Sequence, residues 1–442
     1  MTSYNAHRRA ALGVLLALAA GAALGACKNA LDVTNPRYIE ESQLNDPQLI
    51  NVLVNTAIGA VQTNYSEFAW YSAILTDEAL NATNDYRSGE LNQRIVELAQ
   101  GNIGPYAQLQ YTRATADSAA GRIRALIASP GDVRLARALA YAGYSYVFLA
   151  EFMCTAPINA GPLVTDDSLE KIALARFNEA IADATAAGAG GTKLAADSVI
   201  ALARVGAARA SLDLGDKAGA IAYGSLVPPN FLVYVDYITS GNTSLQNSLW
   251  GRVNGQNKQL GVHPLMQHLN DPRLRYVTQG VLGHNQLTIL NVPYSPRSFS
   301  TFSYNDSTPI QPNSSIELAS GLEARYIVAE ASGPTAATLA LVNERRAYGK
   351  EAPVTLSGDA LMAELREQKR RDFFLAARRL GDLRRYLAQG VGDFFPSGPH
   401  PTSQWGLYGS ATCYIITQDE VNSNPNVAGY QPASTRPSGY SP

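Results

Sequence analysis

A series of amphipathic segments between residues 132 and 226 constrains the fold of this chain more than any other feature. Apolar residues recur in residues 132–152 at steps of four, three, four and three, which places them on one face of an α-helix. The members of this stripe are Leu135, Leu139, Ala142, Tyr146 and Leu149. Residues 168–187, 197–214 and 217–226 also have helical patterns. Because each segment has an apolar face to bury, the pattern predicts helix pairs that pack on one another.

Residues 207–216 resemble the turn between the two helices of a tetratricopeptide repeat, although the period is longer and the full aromatic signature is missing. Further amphipathic patterns predict helices over 316–331, 335–348 and 357–388. Residues 229–315 are instead rich in Asn, Ser, Tyr, Pro and Gly. We therefore predict an all-α fold, a tetratricopeptide-like helix-pair solenoid with a long irregular insertion and few short strands.

These patterns also predict how the chain is organised. Residues 44–228 form the helical repeat region, and residues 229–315 form the irregular insertion. Residues 316–442 provide C-terminal helices and a tail that pack back on the same domain. Long segments without helices of their own are usually functional, so we expect the insertion to contribute to binding.

The first 26 residues have the pattern of a lipoprotein signal peptide. A basic start is followed by an apolar run, residues 10–23, that is too short to span a bilayer comfortably. The sequence Leu-Gly-Ala-Cys at 24–27 matches a bacterial lipobox, which predicts cleavage before Cys27 and lipidation of its thiol. Residues 27–43 would then form an extended tether, and Lys28, in place of Asp, favours the outer membrane. An ordinary secretory signal followed by a chance cysteine is the alternative.

Two further cysteines, Cys154 and Cys413, lie far apart in the sequence. Exported proteins fold in an oxidising space, where an even pair of cysteines usually forms a disulfide. We therefore predict a Cys154–Cys413 disulfide. Closing a loop of about 260 residues should stabilise the fold by roughly 4–5 kcal/mol in the chain-entropy model, less any native strain. Two separate buried thiols are the alternative.

The sequence contains no recognisable catalytic or cofactor-binding motif. A net charge of −2 gives no basic surface for nucleic acid. The histidines after the signal peptide are His263, His268, His284 and His400, and none lies in a His-Glu-x-x-His frame. The glycine-rich residues 188–193 follow a predicted helix and lack the spacing of a phosphate-binding loop. We predict no enzyme activity, no cofactor and no metal, although a carboxylate pair that meets only in space stays open.

Aromatic side chains beside polar segments are the candidates for holding a ligand. A sugar needs a flat apolar face for its C–H surface, with polar groups at the edges of the ring. The candidates are Trp70, Tyr71, Tyr65, Tyr86, Trp250, Trp405 and Tyr408. Trp70 and Tyr71 are adjacent on a predicted helix, so both cannot face the same core. The alternative for each candidate is ordinary packing in the core.

Several short motifs resemble, in order, those of the SusD/RagB family. They lie at residues 31–36, 75–78, 137–152, 271–275, 323–331, 365–385 and 415–426. No motif is specific alone, but their order along nearly the whole chain, after a lipobox, is specific.

This resemblance implies a non-catalytic, lipid-anchored binding protein of the outer membrane, exposed at the cell surface. Such a protein captures an oligosaccharide or a peptide and passes it to a SusC-like TonB-dependent transporter. The resemblance also implies that the solenoid helices face the transporter and that residues 229–315 lie on the ligand side. A cell-surface glycoside hydrolase and a helical-repeat scaffold that docks only proteins are the two alternatives.

Overall fold

The computed structural model shows a mainly helical protein. It describes residues 44–81, 86–100, 104–127, 130–239, 245–254, 260–267, 269–274, 311–401 and 405–438, together with short strands between residues 276 and 293. The helices, numbered along the chain, are α1 (Ile50–Leu75), α2 (Tyr86–Asn92), α3 (Tyr106–Leu126), α4 (Val133–Phe152), α5 (Asp166–Ala189), α6 (Lys193–Asp213), α7 (Lys217–Gly224), α8 (Ser248–Asn254), α9 (Gly321–Ser332), α10 (Ala336–Tyr348), α11 (Gly358–Asp372), α12 (Arg379–Ala388) and α13 (Gln418–Ser423).

The strands are short and pair only two at a time within the described residues. They are β1 (Ala79–Asn81), β2 (Thr155–Pro157), β3 (Leu163–Thr165), β4 (Leu232–Val235), β5 (Leu260–Val262), β6 (Tyr276–Val277), β7 (Val281–Leu282), β8 (Thr288–Ile289), β9 (Val292–Pro293) and β10 (Ile316–Ser320). The antiparallel pairs are β1–β5, β2–β3, β4–β10, β6–β9 and β7–β8. Helix pairs with few short strands confirm the predicted fold class.

Consecutive helices pack against each other from α3 to α7, as the amphipathic pattern predicted. The ring of Phe177 on α5 enters the space left by Gly143 on α4 and Gly206 on α6, and a Cβ added at either glycine would overlap this ring. Tyr144 meets Phe177 edge to face at 5.2 Å between ring centroids. Glycine at these two positions therefore allows the three helices to approach closely.

Polar side chains cap the N-termini of several helices. The Asp132 carboxylate accepts from the Arg134 N–H at 2.8 Å and caps α4, and the Thr165 hydroxyl caps α5 in the same way. Comparable N-caps are Asp216 for α7, Ser320 for α9, Thr335 for α10 and Thr417 for α13. Each cap satisfies an N–H group that the helix itself leaves unpaired.

The helix predicted over residues 316–331 begins later than predicted. Residues Ile316–Ser320 form β10, and α9 begins only at Gly321. β10 pairs antiparallel with β4, with Ile316 opposite Val235. The pairing of β10 with a strand distant in sequence overrides its helical pattern, which is a tertiary effect.

The single helix predicted over 357–388 is also wrong, because the chain forms α11 and α12 instead. Between them Leu375 and Ala377 adopt left-handed conformations, each with φ of 58°, which interrupts the helix. The Leu375 N–H donates to Oε1 of Glu78 at 2.8 Å. The Tyr65 hydroxyl donates to the Ala376 carbonyl at 3.0 Å. Contacts from α1 and the loop after it thus stabilise a turn that contains neither glycine nor proline.

The predicted Cys154–Cys413 disulfide is confirmed, with 5.1 Å between the two Cα atoms. Backbone hydrogen bonds flank it, because the Cys154 N–H donates to the Tyr414 carbonyl and the Tyr414 N–H donates to the Phe152 carbonyl. The disulfide joins the C-terminal segment to the end of α4.

Residues Pro47–Pro442 form one compact unit. Within it, α9 packs against α6 and α7 and so extends the stack of helices. Across the described ranges, no helix is both long and apolar enough to cross a bilayer. Cys27 and its surroundings lie outside the described residues.

Candidate functional site

Two of the predicted ligand-contacting side chains, Tyr65 and Trp70, lie in the core on α1. The Tyr65 ring is fully buried, and burial raises the pKa of its hydroxyl to about 12. Trp70 is only 3% exposed, and the Arg252 guanidinium lies 4.3 Å from its ring centroid. The protein's own side chains cover both rings, so we leave them out of the candidate site.

Three further candidates, Tyr71, Tyr86 and Trp250, lie on three different helices. Tyr71 is half-buried and meets Tyr414 edge to face at 5.7 Å between ring centroids. Trp250 is half-buried on α8, which packs against α1. The backbone of α2 begins at Tyr86, whose side chain lies outside the described residues.

The last two candidates, Trp405 and Tyr408, belong to one cluster of aromatic and polar side chains. Tyr408, His400, His263 and Asn92 contact one another, and Trp405 lies on the same segment as Tyr408 and packs on α2 at Gly89; we call these five residues the aromatic cluster. Its members come from three parts of the chain: α2, the residue after β5, and residues 399–408. These segments meet because β1 pairs with β5, while Pro399 pairs with Leu407.

Trp405 is the half-exposed member of the aromatic cluster. The six-membered ring of its indole lies against the backbone of α2 at Gly89, where an added Cβ would overlap the ring. The indole Nε1 is buried and has no hydrogen-bond partner within the described residues. A buried donor without a partner is uncommon in proteins, and the exposed part of the indole ring is the part that a ligand can reach.

The Tyr408 ring connects the two histidines of the aromatic cluster. It lies 4.7 Å from the His400 ring, centroid to centroid, and its hydroxyl is 3.2 Å from Nε2 of His263. The Leu265 N–H donates to Nδ1 of His263, so the proton of a neutral His263 is on Nε2 and points at Tyr408. Burial, followed by the positive charge of Arg370, lowers the pKa of His263 to about 4. His263 is therefore neutral near pH 7.

Asn92 fixes the other histidine in a similar way. The Asn81 N–H can only donate, so it meets Oδ1 of Asn92 at 2.9 Å. Nδ2 of Asn92 then faces Nε2 of His400 at 2.9 Å, which makes this ring nitrogen the acceptor. The proton of His400 consequently lies on Nδ1. Tyr408, His400, His263 and Asn92 are all buried, so these side chains support the segment that carries Trp405. The described residues contain no group of His, Cys, Asp and Glu side chains that could hold a metal ion.

Arg94 holds the segment that carries Trp405 and Tyr408 onto the end of α2. Its Nε donates to the Ala411 carbonyl at 2.8 Å, and its Nη1 donates to the Pro396 carbonyl at 2.5 Å. Its guanidinium also lies 4.7 Å from the centroid of the Phe395 ring. A buried arginine with these contacts makes the segment a rigid support for the aromatic cluster.

Two carboxylates with strongly shifted pKa values, Asp77 and Glu78, lie just before β1. Burial raises the pKa of Asp77, but Arg379 and Arg370 outweigh it and lower the pKa to about 2. Burial raises the pKa of Glu78 to about 8. Both residues are almost fully buried, and Glu78 accepts from the Leu375 N–H that stabilises the turn after α11. These contacts give Asp77 and Glu78 a structural role, because the carboxylates of a catalytic pair have to reach a substrate.

Sequence reasoning identified Trp405 and Tyr408 but missed Asn92 and the role of the two histidines. His263 and His400 drew notice only as possible metal ligands. The spacing of these five residues along the chain carries no signal, because they meet only after β1 pairs with β5. His268 and His284 lie outside the described residues.

Comparison with known proteins places this architecture. No protein-family model and no curated protein matches the sequence. Solved structures do match. A SusD/RagB family protein from Bacteroides thetaiotaomicron is similar with a TM-score of 0.61 at 15% identity, over 86% of this chain and 95% of that one. Surface glycan-binding protein A from Bacteroides uniformis is similar with a TM-score of 0.63 at 14% identity, over 86% and 98%.

A laminarin-binding SusD-like protein is also similar, with a TM-score of 0.57 at 13% identity, over 89% of this chain and 100% of that one. The matches extend over nearly the full length of each of these proteins, so they concern the whole architecture rather than a shared helix pair. At such low identity they establish the fold alone. The chain has the fold of the SusD/RagB proteins, as its sequence motifs predicted.

Proposed function

We propose that this protein binds an oligosaccharide without transforming it, and that the aromatic cluster is the binding site. The observation that carries this proposal is Trp405, a half-exposed indole that is fixed against α2 at Gly89. The C–H face of a sugar packs well on such a ring, and the buried polar side chains of the aromatic cluster support the segment that carries it. The names of two structurally similar proteins, a surface glycan-binding protein and a laminarin-binding protein, support a glycan over a peptide.

We also propose Tyr71, Tyr86 and Trp250 as ligand contacts. Like Trp405, the rings of Tyr71 and Trp250 are half-buried and so leave part of their surface accessible. Residues 229–315 are proposed to contribute further ligand contacts.

We also propose that the protein works at the outer membrane. Residues 1–26 act as the signal peptide, and the lipid on Cys27 anchors the protein, facing the cell exterior. The bound oligosaccharide then passes to a SusC-like TonB-dependent transporter, which the solenoid helices contact. Purification of the tagged protein in mild detergent tests this: a large barrel partner supports delivery, whereas a periplasmic enzyme partner favours the scaffold alternative.

A glycan and peptide array with the purified protein tests the binding proposal. We expect one class of oligosaccharide to bind, and Trp405→Ala to weaken that binding by about tenfold, since a good aromatic contact contributes roughly 0.5–1.5 kcal/mol beyond its buried area. Tyr111→Ala is the matched control, because Tyr111 is an exposed aromatic side chain on α3. Release of reducing sugar by the pure protein would instead support the glycoside hydrolase alternative.

A further inference from the structure

A cavity of about 230 Å³ lies between α4, α5, α6 and α12, beside Thr412, and shares no lining residue with the aromatic cluster. Its acidic lining residues are Glu151, Asp166, Asp167, Glu170 and Asp213. Arg384 and Arg385 are its basic lining residues. We call it the acidic cavity. Asp167, which is exposed, lies at the mouth of the cavity, and Glu170, which is only 3% exposed, lies in its interior.

The two arginines that line the acidic cavity are already engaged by other carboxylates. Arg384 Nη2 lies 2.7 Å from Oδ2 of Asp166. Arg385 Nη1 lies 2.7 Å from Oδ1 of Asp213, and its Nη2 lies 3.0 Å from Oε1 of Glu330. The arginines therefore leave part of the negative charge of the cavity uncompensated.

Glu151 likewise has a cation of its own, because Arg209 Nη2 lies 2.5 Å from its Oε2. Glu170 has no ion-pair partner within the described residues, and its buried Oε2 accepts no hydrogen bond there. Oδ2 of Asp213 is also buried without a partner. Two carboxylate oxygens on two different helices, α5 and α6, thus lack donors, and such groups destabilise a fold unless something pairs with them.

The electrostatics agree with this geometry. Burial, followed by the negative charges of Asp213 and Glu151, raises the pKa of Glu170 well above its ordinary value. Arg209 on α6 and Arg384 on α12 act in the opposite direction and do not outweigh this. With nothing bound, the acidic cavity thus favours a proton on Glu170, and a cation entering the cavity would displace that proton.

We propose that the acidic cavity binds a primary ammonium group on a short aliphatic chain. An ammonium has three N–H donors that point in different directions, which suits oxygens on separate carboxylates. A guanidinium is planar and prefers both oxygens of one carboxylate. Ala150, Leu387 and Ala388 line the same cavity and offer apolar contact to the aliphatic chain. A metal ion is disfavoured, since no group of three or more His, Cys, Asp and Glu side chains in the described ranges could hold one.

Calorimetric titration tests the proposal with the whole protein and with two sources of the same group. The probes are n-butylammonium and the tripeptide acetyl-Gly-Lys-Gly, whose lysine carries its only ammonium group, and n-butanol and calcium serve as comparison ligands. We expect ammonium binding, and we expect proton release, seen as a heat that depends on the ionisation enthalpy of the buffer. Binding of n-butylammonium alone assigns the cavity to free amines, whereas binding of both probes shows that a lysine side chain also enters.

Glu170→Gln removes the carboxyl group that would ionise when an ammonium binds, while keeping the shape of the side chain. We expect it to weaken ammonium binding by at least about tenfold and to abolish the released proton. Asp167→Asn, at the exposed mouth, is the matched control and should change binding much less. If Glu170→Gln does not fold, Asp213→Asn provides the same test from α6.

Three results would overturn the proposal. They are no ammonium binding at millimolar concentrations, equal binding by n-butanol, or tighter binding of calcium than of the ammonium. The first would leave a cavity that holds only water, which its size and polarity allow.

Discussion

Two regions of this protein hold their helices together by opposite means. In the apolar stack of α4, α5 and α6, the Phe177 ring fills the space left by Gly143 and Gly206. Around α11, three charged side chains are fully buried as well: Asp271, Arg273 and Asp372 have no exposed side-chain surface. Burying charge is unfavourable unless every group finds a partner, whereas apolar packing depends mainly on volume and shape.

The buried charges, which we call the ionic core, come from distant segments. Arg273 contacts Asp271 at 2.5 Å and Asp372 at 3.2 Å. Arg345 on α10 contacts Asp372 at 2.7 Å, and the Tyr326 hydroxyl on α9 donates to Asp372 at 2.5 Å. Such pairing is satisfied in only one arrangement of these segments. The comparison teaches that the stack tolerates change in proportion to volume, whereas the ionic core depends on each member.

The largest effect should follow from Asp372→Asn. It leaves the buried guanidinium groups of Arg273 and Arg345 with one carboxylate fewer, and we expect the free energy of unfolding to fall by about 3–5 kcal/mol. Urea denaturation measures this. Glu344→Gln is the control, since the exposed Arg325–Glu344 pair should contribute no more than about 1 kcal/mol. Equal losses for the two variants would contradict the distinction between the regions.

Removing the disulfide should have the next largest effect. The Cys154–Cys413 bond ties the end of α4 to the C-terminal segment, so it connects the apolar stack to the chain beyond the ionic core. We expect the double variant Cys154→Ser/Cys413→Ser to lose about 2–4 kcal/mol of stability. Reduction of the wild-type protein should reproduce the loss, and a reducing agent should leave the double variant unchanged. A midpoint that reduction does not shift would argue against a stabilising role.

The pH dependence of the free energy of unfolding tests the effect of one buried carboxyl group, that of Glu78. Glu78 has a buried Oε2 that accepts no hydrogen bond from the part of the chain that the structure describes, and burial raises its pKa to about 8. The folded protein therefore holds a proton that unfolding releases, so this group makes stability fall as pH rises from its ordinary pKa of about 4.3 towards that value. Glu78→Gln removes this term, and its advantage over wild type should grow by about 1.4 kcal/mol per pH unit in that window. A constant difference at all pH values would contradict the assignment.

The smallest effect should come from the apolar stack. Phe177→Leu keeps an apolar side chain of similar volume between Gly143 and Gly206, and we expect it to lose no more than about 1.5 kcal/mol. Gly206→Val is the contrasting variant, because its added side chain would meet the Phe177 ring and force the helices apart. Thermal melting of both variants compares them. Tolerance of Gly206→Val would show that the stack is looser than its geometry indicates.

The sequence predicted the regular parts of this fold well and its long-range contacts poorly. Helices such as α4 follow from local periodicity and a capping Asp132. The disulfide followed from counting cysteines in a chain that its N-terminal pattern predicts to be exported. The break after α11 could not be predicted in this way. The carboxylate of Glu78, which stabilises it, lies about 300 residues earlier, and a contact over that distance leaves no local pattern in the sequence.

The candidate site shows the same division. The composition of the neighbouring segments drew attention to Trp405 and Tyr408; in the structure Trp405 packs on α2 at Gly89, and Tyr408 contacts His400. The same reasoning also selected Tyr65 and Trp70, which lie in the core. An aromatic residue in a helix has no sequence feature that separates core packing from ligand contact, because the distinction depends on which segments cover it.

The most direct test of the account asks whether a bound oligosaccharide touches Trp405. In the variant Trp70→Phe/Trp250→Phe, Trp405 is the remaining tryptophan, so the fluorescence of the protein reports on its environment. We predict that the oligosaccharide identified on the array shifts or quenches this emission at the concentrations at which calorimetry shows binding, and that mass spectrometry recovers the oligosaccharide at its original length. Unchanged emission despite binding, or recovery of shortened chains, would contradict the account.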